Sequence, residues 1–508
     1  MKLTNCNFIR RGSVMAERSG RRIVVIGGGL AGLASAVWLA EAGDQVTLLE
    51  RRGRLGGRTL GFPLDAAGGE MVDNGQHVIA GSYTNIFRYL DSVGTREFVR
   101  FPDQWGVRAP DGTAGSLGIR ARDQLKVLAG KAPGISVRDV FKSIPAQAKL
   151  FAASRRPAGE LDQITVDEWL DRVGMPASVR RVLWHPVTIG VLNELPHLAS
   201  AHALASAIQT GMRNTRKYRR RAMSIGWPTV DLHTLYLAGA EKAFAKHGVD
   251  VRLRAKATRI EVTEQQVRGM TDRQVRGMTD RQVPGVTDQH VPGMTGRRVH
   301  GVRMADGGLI EADAVVMAVP AWDVGGLLDD VPGAEPIVAA TRELVPIPIM
   351  SVNLYLDRPI GTEHPWETLL DTDVHWVFDR TLMHGRRSEA GWLYALTTCA
   401  SYDLIELRRP EVVERCMASL RSVYPEAREA NVVHAHVVPW RRATFSSRPG
   451  TGTIRPGQRT EVEGLALAGD WTRNDWPTTM EGAAQSAARA VEVLRDVRPR
   501  SAAGSSGR

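Results

Sequence analysis

Gly27, Gly29 and Gly32 stand at G-x-G-x-x-G spacing directly after the β-branched run Ile23-Val24-Val25-Ile26. The chemistry this permits is phosphate binding through backbone amides. Gly27 allows a tight turn, Gly29 lets the backbone approach a pyrophosphate, and Gly32 lets the following helix lie close to the strand. The start of that helix offers unpaired amides and the positive end of its dipole to an anion. Glu50, eighteen residues beyond Gly32, stands where a carboxylate can bind an adenosine ribose. A glycine triplet alone also fits an ordinary turn. With a strand before it, a helix after it and an acid in register, the pattern reads as a dinucleotide site.

The elements that must hold these residues are legible around them. Residues 33–42 carry apolar side chains at helical spacing and end at Gly43, and residues 45–49 form a second strand closing on Glu50. Far downstream, residues 464–468 are an apolar strand ending at Gly469-Asp470, and Met480-Glu481-Gly482-Ala483 opens a helix reaching about Leu494. Residues 251–262 and 314–319 read as further strands, residues 84–93 as a helix, and residues 120–245 mainly as helices. Among the last, Thr165 and Glu168 have capping-box spacing, and residues 231–247 form another helix.

Composition narrows the class. A chain of 508 residues with 43% hydrophobic content can bury a large core in several domains. No run approaches the ~18 apolar residues that span a bilayer, and residues 1–20 read as a polar extension without a secretory apolar core. Cys6, Cys399 and Cys416 form no CxxC pair, which fits a reducing compartment rather than a disulfide framework or a metal site. The net charge of +11 is concentrated: residues 120–156 hold nine Lys and Arg against two Asp, and residues 213–221 hold six basic residues in nine positions. Interleaved with apolar residues, these segments suit either an anionic membrane surface or a solvated helical face. No recognition motif accompanies the charge, which argues against nucleic acid.

Residues 51–59, Arg-Arg-Gly-Arg-Leu-Gly-Gly-Arg-Thr, resemble the second glycine pair of glutathione-reductase-type flavoproteins, in the branch of amine oxidases, protoporphyrinogen oxidases and carotenoid desaturases. The resemblance implies FAD. Arg58 would lie along its pyrophosphate, with Arg51, Gly56, Gly57 and Gly75 close by. The backbone of Ala257 would meet the adenine end, Gly469 and Asp470 the ribityl or pyrophosphate portion, and Met480, Glu481, Gly482 and Ala483 the flavin ring edge. No cysteine stands near the family's covalent attachment site, so FAD held noncovalently is implied. The fold implied is α/β, a glutathione-reductase-type Rossmann FAD domain with a discontinuous α+β substrate domain. Residues 21–100, 231–345 and 456–495 would build the FAD domain. Residues 101–230, a helical substrate or membrane part, and 346–455 would build the other, and residues 496–508 a disordered tail.

Asp73-Asn74-Gly75-Gln76-His77, residues 375–380, 443–445 and 454–457, and Ala468-Gly469-Asp470-Trp471-Thr472 are similar to the squalene-associated flavoenzymes, the hydroxysqualene dehydroxylases, which lie beside the phytoene desaturases. The resemblance covers about residues 21–495. It implies reduction of an allylic alcohol on a long, lipophilic isoprenoid, with hydride from FADH2 displacing the hydroxyl of hydroxysqualene to give squalene, in hopanoid or triterpenoid synthesis. His77 is the candidate proton donor, with Gln76 or Asn74 orienting it; the same residues could instead form a turn packed against the flavin. Trp184, His185 and Asn193 form a second cluster. Two other functions stay open: an oxidative desaturase or amine oxidase, and an FAD-retaining membrane partner of prenyl-condensing enzymes. The expected location is cytoplasmic, at the inner membrane face. Residues 266–297 depart from the pattern as an eight-residue repeat, read as a lengthened hairpin tip or surface loop.

Overall fold

The computed structural model describes residues 20–102, 104–118, 133–153, 159–218, 224–266 and 295–498. The N-terminal extension, the body of the repeat, the last ten residues and parts of both basic segments lie outside them.

The glycine motif sits in a five-stranded parallel sheet. Its strands are β1 (Arg22–Ile26), β2 (Gln45–Leu49), β3 (Asp250–Arg252), β4 (Ala314–Met317) and β5 (Leu465–Leu467), in the order β3-β2-β1-β4-β5. Helix α1 (Leu30–Glu41) crosses from β1 to β2, and every residue from Leu30 to Ala40 is buried. Both faces of the sheet are covered, so β4, β5 and β1 beyond Arg22 are apolar, whereas β2 keeps Gln45 and Thr47 and the edge strand β3 keeps Asp250 and Arg252. Alternation along β1 sends Ile23 and Val25 into one core with α1, and Val24 and Ile26 into another with Val315, Met317 and Leu465. Strands from three distant stretches of chain thus form one sheet.

Residues 251–262, expected as a single strand, are two. β3 joins the parallel sheet, while Ala257–Gln266 pairs antiparallel with Thr295–Met304. The chain bends between them at Arg254, whose φ is 54°. The antiparallel arms pair out to Gln266 and Thr295, which belong to the first and last units of the repeat.

A seven-stranded sheet carries the second domain, in the order Val432–Phe445, Pro346–Leu356, Trp392–Thr398, Trp376–Asp379, Trp366–Leu369, Gln104–Arg108, Ala114–Gly118. Helix Arg409–Val423 packs on one side through Cys416, Met417 and Leu420. Helices Val137–Ala153, Val166–Val173, His185–Leu192 and Ala201–Tyr218 gather round a separate core that includes Leu150, Trp169, Trp184 and Leu204. The capping box at Thr165 forms, with Glu168 N donating to Thr165 Oγ1 at 3.3 Å and Thr165 N to Glu168 Oε2 at 2.8 Å. Among the described residues no helix is long and apolar enough to cross a membrane.

Candidate active site

The glycine motif builds a cradle of bare backbone. Gly27 turns with φ 107° and donates to Leu49 O at 2.8 Å. A Cβ on Gly32 would sit 1.8 Å from Gly27 O, so α1 reaches its place only with glycine there. Gly57, at φ 56°, brings its segment so close that a Cβ would lie 2.9 Å from Gly29 Cα, and Gly56 N donates to Gly28 O at 2.8 Å. The N-cap of α1 is Gly29, which has no side chain to satisfy the first-turn amides.

Charged groups stand around this cradle. Glu50, buried at the end of β2, accepts from Gly28 N and Arg52 N, each at 2.8 Å. Arg58 forms a two-pronged pair with Asp470 at 2.9 and 2.6 Å, and donates to Ala443 O at 2.9 Å. Arg51 instead pairs on the surface with Asp323 at 2.9 Å. Gly469, at φ 138°, passes under the Trp471 indole, where a Cβ would be 2.5 Å from Nε1. Ala257 opens its strand opposite Met304 and is partly buried against the core behind β4.

Residues 73–77 lie beside the pair. Asp73 is 1% exposed and accepts from Leu232 N at 2.8 Å and from Arg380 Nη1 at 2.5 Å. Arg380 also donates to Gln76 Oε1 at 2.7 Å, while Asn74 Nδ2 donates to Arg58 O at 2.7 Å. A Cβ on Gly75 would come 2.9 Å from Ser351 Oγ. Arg380 therefore links the second domain's sheet to the loop carrying Gln76 and His77. Burial and the Arg58 charge lower the His77 pKa to about 4, so the imidazole is neutral at pH 7.

At the far side of the cradle, α3 (Met480–Val493) is capped by Thr479, whose Oγ1 accepts from Gly482 N at 3.1 Å. A Cβ on Gly482 would press against Pro477 O, and Ala483 is buried in the sheet core. Met480 Sδ accepts from Tyr236 OH at 3.3 Å. The Glu481 side chain turns away from the cradle. Its carboxylate, wholly buried, caps α2 (Thr84–Val93) by accepting from the amides of Thr84, Asn85 and Ile86 at 2.8–3.0 Å. Arg455, a residue with no role assigned from sequence, holds the loop between β5 and α3 by donating to the carbonyls of Asp470, Thr472 and Trp476 at 2.7, 2.6 and 3.0 Å. Burial lowers its pKa to about 10.

The Trp184–Asn193 cluster divides. Trp184 joins the helical core, and His185 Nε2 lies 3.0 Å from Asp167 at the rim of a cavity of about 630 Å³ also bounded by Ile189, Leu369, His375 and Trp376. Asn193, at φ 55°, reaches the site, with Cys399 Sγ donating to its Oδ1 at 3.2 Å and its Nδ2 donating to Thr478 O at 3.4 Å. None of the glycines of the cradle lines that cavity.

The residues present fit FAD. The cradle excludes side chains where a pyrophosphate needs room, α1 begins without a side-chain cap, and Asn74 Oδ1, Gln76 Nε2 and His77 Nδ1 are buried polar atoms without a protein partner. Such atoms carry a cost that a polar ligand removes.

Comparison with known proteins agrees. Residues 30–495 match the model of the flavin containing amine oxidoreductases, and the chain belongs to that family. It is 24% identical to the 15-cis-phytoene desaturase of Solanum lycopersicum, over 93% of this chain and 77% of the relative. It is also 24% identical to a hydroxysqualene dehydroxylase of Zymomonas mobilis, over 92% of this chain and 98% of the relative. A solved oxidoreductase from Methanosarcina mazei superposes with a TM-score of 0.67 at 16% identity, covering 93% of this chain and all of the other. The protein is an FAD-dependent oxidoreductase with the α/β fold of this family.

Proposed function

We propose that the protein reduces an allylic alcohol on a long isoprenoid, with hydroxysqualene as substrate and squalene as product. The observation that carries this reading is the buried apolar cluster that begins at Val78, the residue after His77. Val78 packs on a cluster of Trp227, Trp366, Phe378 and Met383, joined by Trp105 and Trp376. Trp105 and Trp366 stack with centroids 5.6 Å apart, and Phe378 lies 6.5 Å from Trp366. Apolar area with one polar station beside it suits a hydrocarbon bearing one hydroxyl. Aromatic faces also stabilise positive charge that develops on an allylic carbon as the C–O bond breaks. The near end-to-end match with the hydroxysqualene dehydroxylase supports the same substrate.

When bound, FAD in its reduced form supplies hydride. The chain's own residues do the rest. The cradle and Arg58 hold the dinucleotide, the buried aromatic cluster keeps water from that side of the site, and Gln76 and His77 present polar atoms to the hydroxyl. His77, neutral at pH 7, serves by hydrogen bonding rather than as a charged imidazolium acid. The basic surface and the location at the inner membrane face belong to the same reading.

An oxidative desaturase is the second reading, because the phytoene desaturases match at equal identity. The test is a panel of hydroxysqualene with reduced enzyme, and of phytoene or a primary amine with oxidised enzyme, with products identified by mass spectrometry. Squalene from the first supports the proposal. Desaturated phytoene with no squalene contradicts it, and inertness toward all three with FAD retained points to an assembly role beside prenyl-condensing enzymes.

A further inference from the structure

Helix Val137–Ala153 has two apolar faces, and among the described residues only one is covered. Val140, Ser143, Ala146 and Leu150 turn inward, with Val140, Ala146 and Leu150 in the core shared with Trp169 and Trp184. On the opposite side Val137, Phe141 and Ile144 are 46, 61 and 49% exposed. Their spacing of four and three residues aligns them in one stripe along the helix, continued by exposed Ala148. Few large apolar side chains of the described protein are so open, and three of them share this stripe.

Beside the stripe runs a second one. Arg138, Lys142 and Lys149, all exposed, follow one another at spacings of four and seven. The one acid of the helix, Asp139, accepts from Ser136 Oγ and Ser178 Oγ, each at 2.9 Å, and offsets part of the charge of Arg138 and Lys142, which leaves three cations against one anion along the helix. An apolar stripe flanked by cations is complementary to a surface that is apolar inside and anionic at its edge. A helix lying in the plane of an anionic bilayer meets both needs, with apolar side chains among acyl chains and cations at the phosphates.

We infer that helix Val137–Ala153 docks the protein on anionic bilayers, with Phe141 and Ile144 inserted and Arg138, Lys142 and Lys149 at the headgroups. The inference rests on this surface and holds whatever the reaction. The docked helix shares its core with the His185–Leu192 helix, whose Ile189 and His185 line the 630 Å³ cavity. The membrane face thus lies on the domain that holds this cavity.

The test is flotation of the FAD-loaded protein with vesicles of phosphatidylcholine, with and without 30 mol% phosphatidylglycerol (~30, a composition that gives appreciable surface potential). Binding to the anionic vesicles is expected, weakened by salt through screening. Phe141→Ser with Ile144→Ser should lower partitioning at least roughly tenfold. Each of Lys142→Glu and Lys149→Glu should lower it by at least roughly fivefold on anionic vesicles. Bound FAD, read from flavin absorbance, should be unchanged in all of them. In Phe141→Trp, emission should shift to the blue and be quenched by brominated lipid. Equal binding by wild type and the serine variant, absence of binding to anionic vesicles, or an unquenched Trp at position 141 would overturn the inference. So would sedimentation showing that the serine variant converts a dimer to a monomer, because a second copy would then cover the stripe.

Discussion

Arg58 and Asp470, 412 positions apart in sequence, meet through two N–H···O bonds of 2.9 and 2.6 Å. One comes from the turn after β2 and the other from the end of β5, so the pair ties the first to the last of the three stretches of chain that build the parallel sheet. Asp470 is nearly buried while Arg58 keeps about a third of its side chain open, 6 against 36%. The guanidinium is thereby held at the mouth of the cradle with donors to spare for phosphate.

Arg58→Ala and Asp470→Asn should each weaken FAD binding ten- to hundredfold, the scale of about 1.5–3 kcal/mol for a charge-assisted bond. The double variant should lose less than the sum of the two, since each single change also removes its partner's function. Titration of apoprotein with FAD, followed by flavin fluorescence, measures all three constants.

Gly57→Ala should give a folded protein that does not retain FAD. The new Cβ, 2.9 Å from Gly29 Cα, fills the space between the two glycine segments, and the positive φ adds strain of about 1–2 kcal/mol. The ratio of flavin to protein absorbance after gel filtration, with circular dichroism as the folding control, reads the outcome.

Arg380→Leu leaves the Asp73 carboxylate uncompensated in the interior and should cost about 3–5 kcal/mol of stability. Asp73→Asn with Arg380→Leu removes both charges and should recover a large part of that loss. Urea unfolding of the three proteins provides the comparison.

Acid should destabilise the FAD-free protein well before its carboxylates titrate. Burial lowers His77 and His375 to about 4 and His384 to about 3, with Arg58 adding to the effect at His77 and Arg380 at His384. In the unfolded chain these groups protonate near the ordinary 6.5. Between 6.5 and those lower values the unfolded state holds more protons, so stability is full above pH 6.5 and falls as pH falls toward 4. Tm measured from pH 7 to 4.5 should decline, and His77→Asn should flatten part of the slope.

What sequence conveys about this molecule follows from how local each feature is. The β1 to β2 unit is read residue by residue because turn, helix packing and phosphate approach all act within a few positions of Gly27, Gly29 and Gly32. Helix Thr84–Val93 is legible for the same reason. The break at Arg254 is not, because no glycine, proline or asparagine marks the single left-handed residue between the two strands. Glu481 reads from sequence as part of a cofactor segment, yet its side chain serves α2, where Asn85 lies 396 positions away. Arg380 and Arg455 lie in motifs noticed from sequence, but their tasks depend on carbonyls and carboxylates brought near only by the fold.

Single turnover under anaerobic conditions tests the central claim most directly. Enzyme carrying fully reduced flavin is mixed with hydroxysqualene while flavin absorbance and product are followed together. The proposal predicts reoxidation of the flavin at the rate of product formation, with one squalene released per flavin oxidised. A flavin that stays reduced with hydroxysqualene, while phytoene reduces the oxidised form and is desaturated, would contradict it.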